Sequence, residues 1–261
     1  LPPHPPLPPP HPTPRSRATL TIDARVARQT INRPEQRNAL SLDLLNALHA
    51  RVDELRTRDV SLCVITGEGK AFCAGMDLKA VLGNPAGSLE LLTLLAELTY
   101  KIRTLECITL GVVNGAAIGG GCGIVTVCDL AITFAHNTMG FPEVDLGVCP
   151  AVVAPWLVRK IGPGRARSVL LAGGLMDGTQ ARDIGIVSSL VEHHADLHEA
   201  SERMIAHLSA SAPNAIRATK SLLNTLDGSL DRELLLRAAK LSADVLNTPT
   251  TQAMLRAKLG A

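Results

Sequence analysis

Three consecutive glycines, Gly119 to Gly121, stand between an apolar run, Ile108 to Val113, that predicts a buried strand, and Ile124 to Val127, which predicts the first turns of a helix. Glycine at such a junction lets a ligand approach the backbone, because no Cβ intervenes. The helix N-terminus that follows carries unpaired N–H groups and the positive end of the helix dipole. Together they suit an anion, or an oxygen that becomes negative during a reaction. Two other uses of glycine-rich turns fail on spacing. A G-x-G-x-x-G dinucleotide fingerprint needs glycine where the chain has Ile124 or Thr126, and no G-K-[ST] follows for a phosphate loop. Tight helix–strand packing, or a plain loop, is the alternative use of such a run.

A second glycine-bearing connection, Gly67 to Asp77, follows the apolar run Leu62 to Thr66 and contains Ala71-Phe-Cys-Ala-Gly-Met-Asp-Leu78. It and the glycine triplet both fall at the C-terminal ends of predicted strands, where ligands of α/β folds gather. A third segment, Met139-Gly-Phe-Pro-Glu143-Val-Asp-Leu-Gly-Val-Cys-Pro150, offers a carboxylate. Pro142 fixes the backbone before Glu143. The apolar neighbours should raise the pKa of that carboxyl, as general acid–base work at neutral pH prefers. Read without further context, Glu143 could also cap a turn or pair with an arginine. Asp145 is a second carboxylate, on the same side as Glu143 if the segment is a strand. Cys122 and Cys149 lie close by, with no histidine near in sequence to activate them, and are expected to be pocket walls rather than nucleophiles.

The elements that must position these segments follow a rhythm. Ala18 to Asp23 and Ala27 to Ile31 are predicted as short strands turning at Ala24-Arg25, followed by a polar loop, Asn32 to Leu40. Ser41 is a predicted N-cap, and Leu44, Leu45, Leu48, Val52 and Leu55 follow at helical spacing. A leucine-rich helix is predicted over about Leu89 to Leu105, then the strand Ile108 to Val113, the glycine run, a helix, and the strand Leu130 to Phe134. Strands and helices alternate through about residue 195, which implies parallel strands joined by right-handed crossovers. Beyond it Asp196 to Ser211, Ala215 to Leu226, Leu230 to Leu246 and Thr250 to Leu259 carry helical periodicity, punctuated by Pro213 and Pro249. Such helices cover their own sheet or pack on another subunit. Periodicity leaves a spiral, a doubly wound sheet and a barrel open.

Composition narrows the field. Apolar residues make up 46% of the chain and aromatics 2%, so Leu, Val, Ile and Ala must fill the core. With one Trp and one Tyr, stacking on nucleic-acid bases is not the expected business of this chain. A net charge of +2 with both signs interspersed argues against a broad nucleic-acid or membrane surface. The six cysteines form no C-x-x-C and the eight histidines no metal pattern, so free thiols in a reducing compartment are expected. His193-His194 falls near a predicted strand end and reads as surface. Leu1 to Arg17 is dominated by proline, with no apolar periodicity, and is expected to be an extended, disordered tail. It lacks the apolar region of a secretory signal, and no membrane span is evident, so a cytoplasmic protein is the expectation.

Taken in order, Asn32-Arg-Pro with Arg37-Asn-Ala-Leu40, Ala71-Phe-Cys-Ala-Gly-Met-Asp-Leu78, Asn114-Gly-Ala-Ala-Ile-Gly-Gly-Gly121, Cys128-Asp129 and Phe141-Pro-Glu143 with Gly147 resemble the crotonase family, also called the enoyl-CoA hydratase/isomerase family, from about Thr19 onward. The resemblance implies an α/β fold, the crotonase (ClpP-like) spiral of ββα repeats, with a C-terminal helical region that mediates trimer contacts. On that basis residues 1–17 form the proline-rich tail, 18–195 the acyl-CoA-binding core and 196–261 the helical region. The implied partner is an acyl-CoA thioester substrate. Coenzyme A belongs to that substrate, so no separate cofactor, metal, nucleic acid or membrane is expected, and the expected assembly is a homotrimer or a dimer of trimers. Carried over position by position, the amides of Met76 and Gly120 form an oxyanion hole for the thioester carbonyl. Glu143 is the acid–base carboxylate. Arg37, Ala39 and Ala74 stand beside the adenine end of CoA, and Lys79 reaches the CoA phosphates.

One departure bears on the reaction. Hydratases of the family typically use a first glutamate two residues after the glycine triplet and a second in the position of Glu143. The first position here is Gly123, which can neither give nor take a proton. Water addition needs a base for the water and a proton for the α-carbon. One glutamate can do both in succession, whereas double-bond isomerisation needs only a single proton shuttle. Pro142 to Ala151, followed by Pro155 and Arg159-Lys-Ile-Gly162, look most like bacterial hydratase-like members, including methylglutaconyl-type ones, that lack the first glutamate. Hydratase is therefore the expected activity. The alternatives are an isomerase, a decarboxylase or hydrolase of a carboxylated acyl-CoA, and a non-catalytic acyl-CoA-binding protein.

Overall fold

The computed structural model describes residues 16–260, and in it the strand–helix alternation becomes a spiral of ββα units. The proline-rich expectation therefore lies outside the described residues as far as residue 15. Ser16 and Arg17 are exposed, and the Arg17 carbonyl accepts from the Asn32 amide at 2.8 Å. β1 (Ala18–Asp23) and β2 (Val26–Ile31) pair as an antiparallel hairpin. α1 (Leu42–Leu55) follows, its first turn capped by the Ser41 hydroxyl, which accepts from the Leu44 amide. The five apolar residues at helical spacing are the buried face of α1.

Three units then repeat one design. β3 (Leu62–Gly67) is followed, after a three-residue connection, by β4 (Ala71–Cys73), and the helices α2 (Leu78–Val81) and α3 (Pro85–Arg103) lead out of it. β5 (Ile108–Val112) is followed in the same way by β6 (Ala116–Ile118) and α4 (Gly120–Val127). β7 (Leu130–Phe134) is followed by β8 (Thr138–Gly140). Side-chain amides tie the connections down. Asn114 Nδ2 donates to Gly67 O at 2.8 Å and Gly69 O at 3.0 Å, and Asn137 Nδ2 donates to Gly115 O at 3.0 Å. α5 (Ala154–Ile161), α6 (Pro163–Ala172), β9 (Leu175–Asp177), α7 (Gly178–Asp183) and β10 (Ser189–Val191) complete the core.

Within the repeating units, long and short strands go to different sheets. The larger has the order β1-β2-β3-β5-β7-β10, parallel throughout except for the first pair, and the smaller has the order β4-β6-β8-β9. The sequence rhythm predicted one strand per unit, and the structure has two. Asp129 fastens the spiral to a later helix: its Oδ2 accepts from the Thr109 amide and hydroxyl, both at 2.8 Å, and from Lys220 Nζ at 2.7 Å.

The C-terminal part is helical, as its periodicity predicts: α8 (Leu197–Ser209), α9 (Pro213–Leu226), α10 (Arg232–Leu246) and α11 (Pro249–Leu259). Pro213 and Pro249 do not merely separate these helices. Each sits in the first turn, where the missing N–H has no partner to lose. α10 lies along α3, closing the apolar side of the spiral. No helix among the described residues is long and apolar enough to cross a membrane.

Candidate functional site

The small sheet decides which loops meet. β4 pairs with β6 (Ala71↔Ala116, Cys73↔Ala117), and β6 pairs with β8 (Ala117↔Met139, Ile118↔Gly140), both parallel. Parallel neighbours release their chains on the same side. Ala74-Gly75-Met76, Gly119-Gly120 and Pro142-Glu143 therefore line one pocket. Its remaining walls are mostly apolar and include Leu92, Leu95, Val152 and Val153.

Two residues that line this pocket carry amides without an acceptor among the described residues. Leu40 bridges to the Met76 segment: its N–H donates to Gly75 O at 2.8 Å and its carbonyl accepts from Asp77 N at 2.9 Å. In a parallel bridge the intervening residue turns its own N–H the other way, and that of Met76 has no acceptor among the described residues. Gly120 opens α4, so its N–H has no intrahelical partner, and it too finds no acceptor among them. The two segments approach through glycine. Gly75 is held at φ 92°, and a Cβ there would lie 2.8 Å from Ile118 O and 3.9 Å from Gly120 N. α4 starts at Gly120, four residues before the apolar run that predicted it.

Glu143 closes the third side. Its carbonyl accepts from Leu146 N at 3.0 Å and Val148 N at 2.8 Å, which fixes the loop as a single helical turn. The side chain reaches back to the glycine run, and a Cβ on Gly119 would stand 3.0 Å from Glu143 Oε1. Oε2 is buried with no hydrogen-bond partner among the described residues. Burial pushes this carboxyl up to about pKa 7, against a smaller downward pull from a backbone N–H. A carboxyl poised there can both take and return a proton at neutral pH.

The residues expected at the adenine end come together around one loop. Ala74 N donates to Arg37 O at 3.0 Å, Ala39 lies between Arg37 and the Leu40 bridge, and Lys79 is exposed on α2. The side chain organising this loop carried no expected role in the sequence. Asn38, fully buried at φ 58°, accepts from Arg33 N at 2.8 Å and donates to Glu68 O at 3.0 Å and Ala71 O at 2.7 Å. Arg33 in turn donates to Ala39 O and to Asp77 Oδ2, both at 2.9 Å. The clue available was a side-chain amide before an apolar residue, since Asn is tolerated at positive φ. Replacing Asn38 by Ala should lower the unfolding free energy by about 2 kcal/mol, measured by urea denaturation, because one buried and two part-buried backbone groups lose their partner.

One open reading closes and one expectation is corrected. Asp145 is no partner for Glu143: the segment is a turn rather than a strand, and Asp145 Oδ2 instead accepts from Gly174 N at 2.7 Å. Cys122 is not a pocket wall. It is fully buried, with its thiol pushed up to about 12 by burial, whereas Cys149 does line the pocket. Gly123 is also set back from the pocket. Val153 stands against it, its Cγ1 2.4 Å from where a Cβ on residue 123 would be.

The enoyl-CoA hydratase/isomerase family model matches residues 21–257. The chain is 30% identical to the 2,3-dehydroadipyl-CoA hydratase of Escherichia coli, over 80% of this chain and 82% of that one. Among solved structures it is similar to Pseudomonas aeruginosa AtuE, with 34% identity and a TM-score of 0.77 over 90% of this chain and 93% of that one. An enoyl-CoA hydratase/isomerase from Xanthobacter autotrophicus superposes with a TM-score of 0.82 at 27% identity, over 94% and 96% of the two chains. With the spiral, the glycine junctions and the shared pocket already in place, the matched span leaves one conclusion: the chain belongs to the enoyl-CoA hydratase/isomerase, or crotonase, family.

Proposed function

We propose that the chain is an acyl-CoA hydratase that adds water across the double bond of a 2-enoyl thioester. The observation that carries this reading is a buried carboxyl of near-neutral pKa, that of Glu143, whose Oε2 has no partner among the described residues, in one pocket with two amides that find no acceptor among them. The thioester oxygen binds the amides of Met76 and Gly120. Glu143, as carboxylate, takes a proton from water while the water oxygen bonds to C3. The electron pair of the double bond moves to C2 and the thioester oxygen, giving an enolate that the two amides stabilise. Glu143 then returns the proton to C2, and the enolate collapses to the 3-hydroxyacyl thioester. Coenzyme A travels as part of the substrate, so the scheme calls on no resident cofactor.

Arg37, Ala39 and Ala74 would flank the adenine, and Lys79 would meet the phosphates. Replacing Lys79 by Glu should raise KM about fivefold at low salt, with the difference shrinking as ionic strength rises. An unchanged KM at low salt would remove Lys79 from the phosphate site. The exposed Leu222, Leu223, Leu226 and Leu230 on and after α9 suit packing against further copies, in a trimer or a dimer of trimers. Six unpaired cysteines suit a reducing, cytoplasmic setting.

Isomerisation of 3-enoyl to 2-enoyl thioesters is the second reading, favoured by the apolar Val153 beside Gly123. A panel of 2-enoyl and 3-enoyl thioesters separates the two, by following 3-hydroxyacyl product against 2-enoyl product. Binding without turnover of either would reduce the protein to an acyl-CoA carrier.

A further inference from the structure

We infer that Val153 is the residue that sets the balance between water addition and proton shuttling in this pocket, because its isopropyl group fills the space a second carboxylate, or the water held by one, would need. The inference rests on the hydratase reading and names what tunes it. Val153 is 2% exposed, lines the pocket with Glu143, and screens Gly123 from it.

The contact leaves no slack. A Cβ on residue 123 would meet Val153 Cγ1 at 2.4 Å and Val153 Cβ at 3.3 Å. The first is far inside van der Waals contact and the second is tight, and a β-branched side chain has few rotamers into which to retreat. The backbone of Val153 is held as well. Its N–H donates to Pro150 O at 3.2 Å, and its carbonyl accepts from Leu157 N at 3.0 Å as α5 begins. One turn on, Trp156 Nε1 donates to the buried Thr99 hydroxyl at 2.9 Å, which pins α5 to α3. Opposite, Gly123 lies inside α4, with its carbonyl accepting from Thr126 Oγ1 at 2.7 Å. Neither wall can move without disturbing a helix.

Two chemical consequences follow. First, residue 123 is glycine because Val153 demands it. An acid cannot be restored there by one substitution. Second, among the described residues the one hydroxyl, amide or charged side chain besides Glu143 in the pocket lining is Ser242, and it is already committed: its hydroxyl donates to Cys149 O at 2.7 Å and accepts from Ala151 N at 3.2 Å. A water poised to attack C3 is thus positioned by Glu143 alone. Proton transfer between C2 and C4 needs no water and is unhindered. It moves one proton from C4 to Glu143 and the same proton on to C2, with the double bond shifting from C3–C4 to C2–C3.

The experiment measures hydration of a 2-enoyl-CoA and isomerisation of the matching 3-enoyl-CoA in four variants of the full chain. Val153→Ala should raise the ratio of hydration to isomerisation about tenfold by admitting water. Val153→Thr, of similar size but with a hydroxyl to hold water, should move the ratio the same way, and it guards against loss of folding through a cavity. Gly123→Glu alone should be poorly folded or inactive, whereas Gly123→Glu with Val153→Ala should recover the fold and hydrate about 100-fold faster than the single variant. A general loss of structure lowers both activities and leaves the ratio still. A ratio unmoved in both Val153→Ala and Val153→Thr overturns the inference. If the unaltered chain turns over neither thioester, it is the hydratase reading that falls. Val153 then keeps its role if the double variant hydrates, and loses it if that variant is inert.

Discussion

Replacing Glu143 by Gln lowers kcat for enoyl-CoA turnover by about 10³-fold, with binding of CoA by calorimetry unchanged; this is the expected result if the carboxyl is the sole acid–base group. The parent should show kcat/KM rising with pH through about 7 and levelling above it, since the first step needs the carboxylate. The same residue has an opposite effect on stability. In the fold Glu143 keeps its proton to about pH 7, whereas the unfolded chain releases it near 4.5, so protons favour the folded state across that window. Ionising the buried carboxyl as pH rises through the window therefore costs stability. The glutamine variant should match the parent at pH 4 and exceed its unfolding free energy by about 3 kcal/mol at pH 8. Turnover within tenfold of the parent would take the proton chemistry away from Glu143. A variant no more stable at pH 8 would mean that its environment is wetter than the buried, unpartnered Oε2 implies.

Gly121→Ala is the second large effect. A Cβ on Gly121 would lie 2.2 Å from Cys73 O and 2.8 Å from Cys73 Cβ, so a single methyl would drive β4 and α4 apart. Neither contact is a flexible side-chain tip. Overpacking of this kind should cost about 3 kcal/mol, read as a lower urea midpoint. The wedge acts between the segments bearing the Met76 and Gly120 amides, so the two donors separate. A displacement of about 1 Å should lower kcat about 100-fold in whatever fraction remains folded. The wedge presses on backbone and Cβ atoms that do not titrate, so the loss should appear at every pH. A folded Gly121→Ala with parental kcat would show that the amides do not act as a pair.

The three long strands of the repeating units were legible because each is a continuous apolar run, buried on both sides. Their short companions β4, β6 and β8 were not. Three residues carry no period, and what holds them is pairing with residues more than 20 positions away. α4 was placed late because glycine has poor intrinsic helix propensity. Close approach of Cys73 to Gly121, not local preference, selects glycine there. The candidate site divides the same way. Glycine at a strand–helix junction and a carboxylate after proline are written in residue types. Backbone amides are not, and only the family resemblance pointed to Met76 and Gly120. Asp145 stayed open because its two-residue spacing from Glu143 has meaning only on a strand, and Gly147, at φ 72°, ends a turn instead. Val153 gave no signal, since one more valine in an apolar run says nothing until Gly123 is seen beneath it.

The way the Glu143 loop is fastened dictates when the pocket can first work as the chain is synthesised. Both amides and the carboxyl lie in the first 143 residues, yet the loop is held from far downstream. Thr251 Oγ1 donates to Gly147 O at 2.9 Å across 104 positions, and Ser242 reaches Cys149 and Ala151 across 93 and 91. Contacts of such high sequence separation form late, because the loop entropy must be met first. A nascent chain that has emerged only through β8 holds the donors without a fixed acid. On the proposed chemistry, activity therefore waits for α10 and α11 to dock, and half-made copies present no working catalyst to the thioester pool.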